Sequence, residues 1–103
     1  MNCSRNDVVL LPIPFTDLTS RKVRPAIVLG RKEMDLFLVP ISSVLANTDF
    51  PLKEWRAAGL NISCGVKAQL ATVEARLVVK VIGQLANNDT KVLNTQLRNW
   101  LQL

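Results

Sequence analysis

Residues Asn6–Gly30 read NDVVLLPIPFTDLTSRKVRPAIVLG, and the way this stretch divides decides the fold. An apolar run, Val8–Ile13, meets two prolines at positions 12 and 14. A turn rich in hydroxyls and charge follows, and a second apolar run, Ala26–Leu29, begins directly after Pro25. Proline cannot donate to a strand ladder, so the first strand must end or become an edge at Pro12–Pro14. Two Val/Ile-rich runs joined by a polar turn predict an antiparallel hairpin.

Working outward, Leu36–Ile41, Leu70–Val73 and Leu77–Ile82 repeat the same pattern of short apolar runs between polar or Gly/Pro-containing segments. That pattern predicts a small, strongly bent antiparallel sheet or barrel. Lys53–Leu60, KEWRAAGL, predicts one or two helical turns closed by Gly59 as a C-terminal cap. The tail changes period. Over Asp89–Leu103, Val92, Leu93, Leu97, Trp100 and Leu101 share one helical face, with Asn88 or Asp89 as N-cap.

At 103 residues and 49% hydrophobic, the chain is expected to form one domain over 1–103 with enough apolar material for a core. Its longest N-terminal run without charge or small polar residues, Val8–Phe15, is far short of the ~20 apolar residues that cross a bilayer. The start, MNCSRND, is too polar for a signal peptide, which points to the cytoplasm. With no His, imidazole catalysis and imidazole metal ligation are excluded. Cys3 and Cys64 alone make no structural zinc site, and no cofactor or metal is expected.

The formal charge is +5, with a sequence pI of about 9.8. Arg21, Lys22, Arg24, Arg31 and Lys32 place five of the 13 basic residues within twelve positions that hold no acid. Such a local field suits phosphate. Polar groups interrupt the apolar strand ends at Thr16 and Asp17, at Arg24, and at Ser42 and Ser43. Taken singly, each also reads as an ordinary turn or surface residue.

Together these segments resemble the MazF/PemK toxin family. The opening stretch is similar to the family pattern G-D-V-V-x-x-x-x-P-F-T-D followed by R-P-A-x-V-L. VPISS (Val39–Ser43) resembles its hydrophobic-I-[ST]-[ST] element. DFPLKEWRAAGL resembles its P-L-x-x-W-x-x-A-G-L insertion, and AQLATVEARLVVKVIGQLANND its last strands and the entry to the terminal helix. The likeness runs in order along essentially the whole chain.

The resemblance implies a mainly β fold with helices, a small SH3-like β-barrel of the CcdB/MazF type carrying a C-terminal amphipathic helix. It implies a homodimer that cuts single-stranded RNA without metal, leaving 2′,3′-cyclic phosphate and 5′-hydroxyl ends, and that a cognate antitoxin silences. Arg24 then stabilises charge on the scissile phosphate. Ser42 or Ser43 binds that phosphate, the preceding Ile favouring Ser42, and Asp17 orients Arg24 or takes the 2′-hydroxyl proton. Arg21, Lys22, Ser43, Lys67 and Gln69 complete an RNA-binding set.

Three departures stand out. Ala68 occupies the place where some family members carry a carboxylate. Asn6 replaces a glycine, with similar tolerance of left-handed backbone. DLTSRKV (Asp17–Val23) replaces a Gly-rich first loop. Two other functions stay open. Ala68 favours a catalytically weak or inactive dimeric binding module. Trp100 near the C-terminus favours a CcdB-like gyrase poison, although its helical register also fits a core or dimer contact.

Overall fold

The computed structural model of the protein describes residues 2–12 and 22–103. Among these residues, seven strands and one α-helix follow in the order β1 (Asp7–Pro12), β2 (Val23–Lys32), β3 (Asp35–Ser42), β4 (Phe50–Pro51), β5 (Gly65–Val66), β6 (Ala71–Glu74), β7 (Lys80–Gln84) and α1 (Asn87–Leu101). The sheet runs β4-β5-β3-β2-β1-β7, with β6 added to β3, and every pairing is antiparallel. This is a mainly antiparallel β fold with one C-terminal helix, as the apolar runs predict.

The β1–β2 pairing forms as expected, with Val8 opposite Ile27 and Pro12 opposite Val23. β7 pairs with β1 only as far as Leu10, so Pro12 sits where no donor is needed on that side. Successive residues face opposite cores. Val8, Ile27, Val39 and Ile41 join one cluster under α1, whereas Val9, Leu11, Ala26, Val28, Leu36 and Leu38 join another on the reverse face. Central strands buried on both faces need near-continuous apolar sequence, which is why VVLL and AIVL read as runs rather than as alternation. Each fully buried Val, Leu or Ile contributes roughly 1.5–3 kcal/mol, so these three strands anchor the domain.

Several elements differ from the sequence reading. β2 extends from Val23 to Lys32, beyond Ala26–Leu29, because the bulge after Val28 and the Glu33–Met34 turn keep Gly30–Lys32 paired with β3. The run Leu77–Ile82 becomes strand only at Lys80, since a 3₁₀ turn occupies Ala75–Leu77. The two-residue strands β4 and β5 were not expected. They exist through Phe50 opposite Val66 and through β5 pairing with Ile41–Ser42.

Lys53–Leu60 makes one helical turn. Ala58 N–H donates to Glu54 O at 3.2 Å, Gly59 N–H to Arg56 O at 3.0 Å and Leu60 N–H to Trp55 O at 3.1 Å, with Gly59 at φ +90°. The last two bonds are a Schellman cap, with glycine where only glycine is unstrained. α1 is capped by neither Asn88 nor Asp89. It begins after Ala86, without a side-chain cap. The carboxylate of Asp89, 1% exposed, is engaged elsewhere: it accepts Lys53 N–H at 2.9 Å and Glu54 N–H at 2.8 Å. Two charge-assisted bonds from an otherwise orphaned turn outweigh one local cap. Leu93 and Leu97 are buried, and Trp100 packs on Phe50 with ring centroids 6.3 Å apart. Leu101 remains half exposed.

Asn6 has φ +73°, the left-handed geometry anticipated for a glycine replacement, and its Oδ1 is buried with no hydrogen-bond partner among the described residues. Asn6→Gly is expected to match or raise stability by up to about 1 kcal/mol, because removing an orphaned acceptor offsets the entropy glycine adds to the unfolded chain. Asn6→Ala keeps the left-handed requirement without a residue that tolerates it, and should lose about 1–2 kcal/mol. Urea melts of the two variants check the opposite signs.

Candidate active-site cleft

A cleft of about 860 Å³ opens where the end of β3, the start of β2 and the start of β7 converge below the Leu60–Ile62 segment. Arg24, Ser42, Ser43, Lys67 and Gln69 all line it. The β2–β3 ladder ends at Ala26 opposite Pro40, and Arg24 and Ser42 each lie two residues beyond that last pair, at the strand ends that line the cleft. Pro25 biases Arg24 to extended backbone, so the guanidinium stem leaves a stiff strand end.

Ser42 Oγ accepts Val44 N–H at 3.1 Å. That bond fixes the hydroxyl oxygen and leaves its own proton to donate outward. Lys67 and Gln69 are presented by a tight turn centred on Ala68. Gln69 N–H donates to Lys67 O at 2.8 Å, and Lys67 N–H donates to Pro40 O at 3.1 Å. Ala68 N–H donates to Asp49 Oδ2 at 2.6 Å. Ala68 is exposed and does not line the cleft. A carboxylate therefore stands beside position 68 after all, supplied by Asp49, but it acts here as the backbone clamp of the Lys67–Gln69 turn.

Lys22 is exposed before β2 and does not line the cleft. Asp17 and Arg21 lie outside the described residues. The sequence reading missed Lys80, Asn47 and Asn61, which also line the cleft. The signal for Lys80 was a single cation inside LVVKVI, and for Asn61 a polar residue beyond the Gly59 cap.

Among the described residues the lining holds three cations, Arg24, Lys67 and Lys80, and no carboxylate. Amides and hydroxyls supply donors and acceptors, while Leu10, Pro25, Ile41 and Ile62 give apolar surface. Such a lining offers charge to phosphate, paired donors and acceptors to base edges, and flat apolar contact to base faces. Cys64 also borders the cleft. Its Sγ–H donates to Ile62 O at 3.2 Å, and burial pushes its thiol up from the ordinary value. A thiol so held is a poor nucleophile at neutral pH. No group of three His, Cys, Asp or Glu side chains among the described residues is placed to hold a metal ion, and no helix among them is long and apolar enough to cross a membrane.

The fold and site together define a small antiparallel β domain with a cationic cleft at its strand ends. Within that class the assignment is specific: the family model for the PemK-like, MazF-like toxin of type II toxin-antitoxin systems matches residues 4–101. The chain belongs to this family. No curated protein sequence matches it. Family membership implies the MazF fold and a cognate antitoxin.

Proposed function

We propose that the protein is the toxin of a type II pair acting as an mRNA interferase, a sequence-preferring, metal-independent endoribonuclease on single-stranded RNA. The observation that carries this reading is the meeting of Arg24 and Ser42 in one cleft that has Lys67 beside them and no carboxylate among its described lining residues. The reading also brings a homodimer and a cytoplasmic setting, as in the family.

The reaction follows from these groups. The ribose 2′-oxygen forms a bond to phosphorus as the bond to the 5′-oxygen breaks, giving a 2′,3′-cyclic phosphate and a 5′-hydroxyl. Negative charge grows on the non-bridging oxygens in the transition state. The planar fork of Arg24 meets two such oxygens at once, and the hydroxyl of Ser42 donates to the same phosphate. The 2′-proton passes to a general base and the 5′-oxygen takes up a proton. Asp17 is the carboxylate assigned to orient Arg24 or accept that proton. Lys67 and Gln69 hold the flanking strand, while Arg21, Lys22 and Ser43 extend its binding surface.

Digestion of defined single-stranded RNAs in EDTA, with fragment termini weighed by mass spectrometry, tests the proposal. Cyclic-phosphate and 5′-hydroxyl ends are expected. Intact RNA from a folded, antitoxin-free sample, across several sequences, would shift the reading to a binding module without turnover, which Ala68 favours. The packing of the half-buried Trp100 against Phe50 supports its reading as a core contact over the gyrase-poison alternative.

A further inference from the structure

The three cations of the cleft are not clustered; they are laid out in strand order. Lys67 follows β5, whose Gly65 pairs with Ser42 on β3. Ser42 ends β3, two residues beyond the last β2–β3 pair, and Arg24 lies two residues beyond that pair on β2, both lining the cleft. β1 comes next, with Leu11 opposite Arg24 and Leu10 opposite both Pro25 and Lys80. Lys80 opens β7 on the far side. Neighbouring strands are about 4.8 Å apart, so the backbones of Lys80 and Arg24, two strands apart and in adjacent rows, are separated by roughly 10 Å.

Lys80 is exposed, within a run whose neighbours Val79 and Val81 are apolar, and no acid among the described residues pairs with it. Three like charges converging on one cavity repel one another in the free protein. A polyanion crossing the cleft removes that penalty at all three positions. Leu10 and Pro25, in the same cross-strand row as Lys80, give the apolar floor between the outer cation and the Arg24–Ser42 pair.

We propose that Lys80 binds the phosphate next to the one held by Arg24 and Ser42. The RNA strand then runs through the cleft from Lys67 on one side of the scissile phosphate to Lys80 on the other. This rests on the ribonuclease reading above. Lys80 is a binding residue and touches none of the reacting atoms, so its loss falls on KM and not on kcat.

The experiment uses the whole protein and an uncleavable 2′-O-methyl RNA 12-mer of mixed sequence, titrated over a series of salt concentrations. Each lost phosphate contact on a single strand lowers the slope of log affinity against log salt by ~0.7. Lys80→Ala should show that drop, weaken binding by about tenfold at fixed salt, and raise KM on cleavable RNA with kcat retained. Lys80→Arg should restore the slope. Lys91→Ala, an exposed α1 lysine away from the cleft, should leave it unchanged. A Lys80→Ala protein with the parent slope and the parent KM overturns this inference while leaving the ribonuclease reading intact. A parent that binds but never cuts, with the slope still falling in Lys80→Ala, overturns the ribonuclease reading and upholds the strand path. A parent that binds no RNA overturns both.

Discussion

Arg24→Ala is expected to slow RNA cleavage by ~10²–10³-fold or more while leaving the fold unchanged. The rate effect follows from where the side chain sits. Arg24 emerges from the mouth of β2 into the cleft that Ser42 also lines, and its guanidinium offers two parallel donors to a phosphate that gains charge only as the reaction proceeds. Removing a donor used in the transition state lowers kcat, whereas removing a phosphate contact used equally throughout lowers affinity alone. The stability effect follows from exposure. Arg24 belongs to neither apolar cluster, so its truncation should fall within about 0.5 kcal/mol. For a domain of this size that is a shift of no more than about 4 °C in Tm. Arg24→Lys keeps a point charge and loses the fork, and should recover binding better than rate. Single-turnover cleavage assays with parallel thermal melts separate these effects. A variant that cuts at the parent rate would remove Arg24 from the site, and one that unfolds would make its role structural.

What the sequence made legible was whatever depends on local chemistry. The left-handed backbone at Asn6, the Gly59 cap and the apolar face of Leu93, Leu97 and Trp100 all follow from single residues or from a repeat of one helical turn. The hairpin of β1 and β2 was readable because each run is long enough to show its character. β4 and β5 were not, since two residues carry no period and Phe50–Val66 pairing is a tertiary event. The helix start was misread because Asp89, a good cap in isolation, satisfies the backbone of Lys53 and Glu54 thirty-five or more residues away.

The site divides in the same way. Arg24, Ser42, Ser43, Lys67 and Gln69 could be named from residue types and resemblance, but their sharing one cleft depends on β3 leaving β2 after Pro40 to pair with β5, which the sequence does not state. Lys80 hid inside an apolar run, where it counted as a strand residue. The Asp49 clamp on Ala68 N–H joins two segments far apart in the chain and had no local signature.

Gly59→Ala should be the most damaging single methyl group in the protein. The sheet path leaves β4 and β7 as its two ends, and between them the backbone of Ala58–Gly59 lies directly against that of Ile82–Gly83. A Cβ on Gly59 would drive into the carbonyl of Ile82, which is backbone and cannot rotate away, and a Cβ on Gly83 would meet the carbonyl of Ala58. The φ of +90° adds its own strain for any residue with a side chain. Backbone strain of about 1–2 kcal/mol and overpacking of about 1–3 kcal/mol together come to about 2–5 kcal/mol, a large share of the total stability of a domain. Tm should therefore fall by at least about 8 °C. Gly30→Ala is the control, because a Cβ there meets only Phe37 Cδ2 at an ordinary 3.8 Å. The same contact holds the Leu60–Ile62 wall of the cleft against the strand that carries Lys80. A partly folded Gly59→Ala protein should thus lose RNA binding before it loses its β-sheet signal in circular dichroism. If Gly59→Ala melted with the parent, the packing of these two backbones would be wrong, and with it the width of the cleft between Asn61 and Lys80.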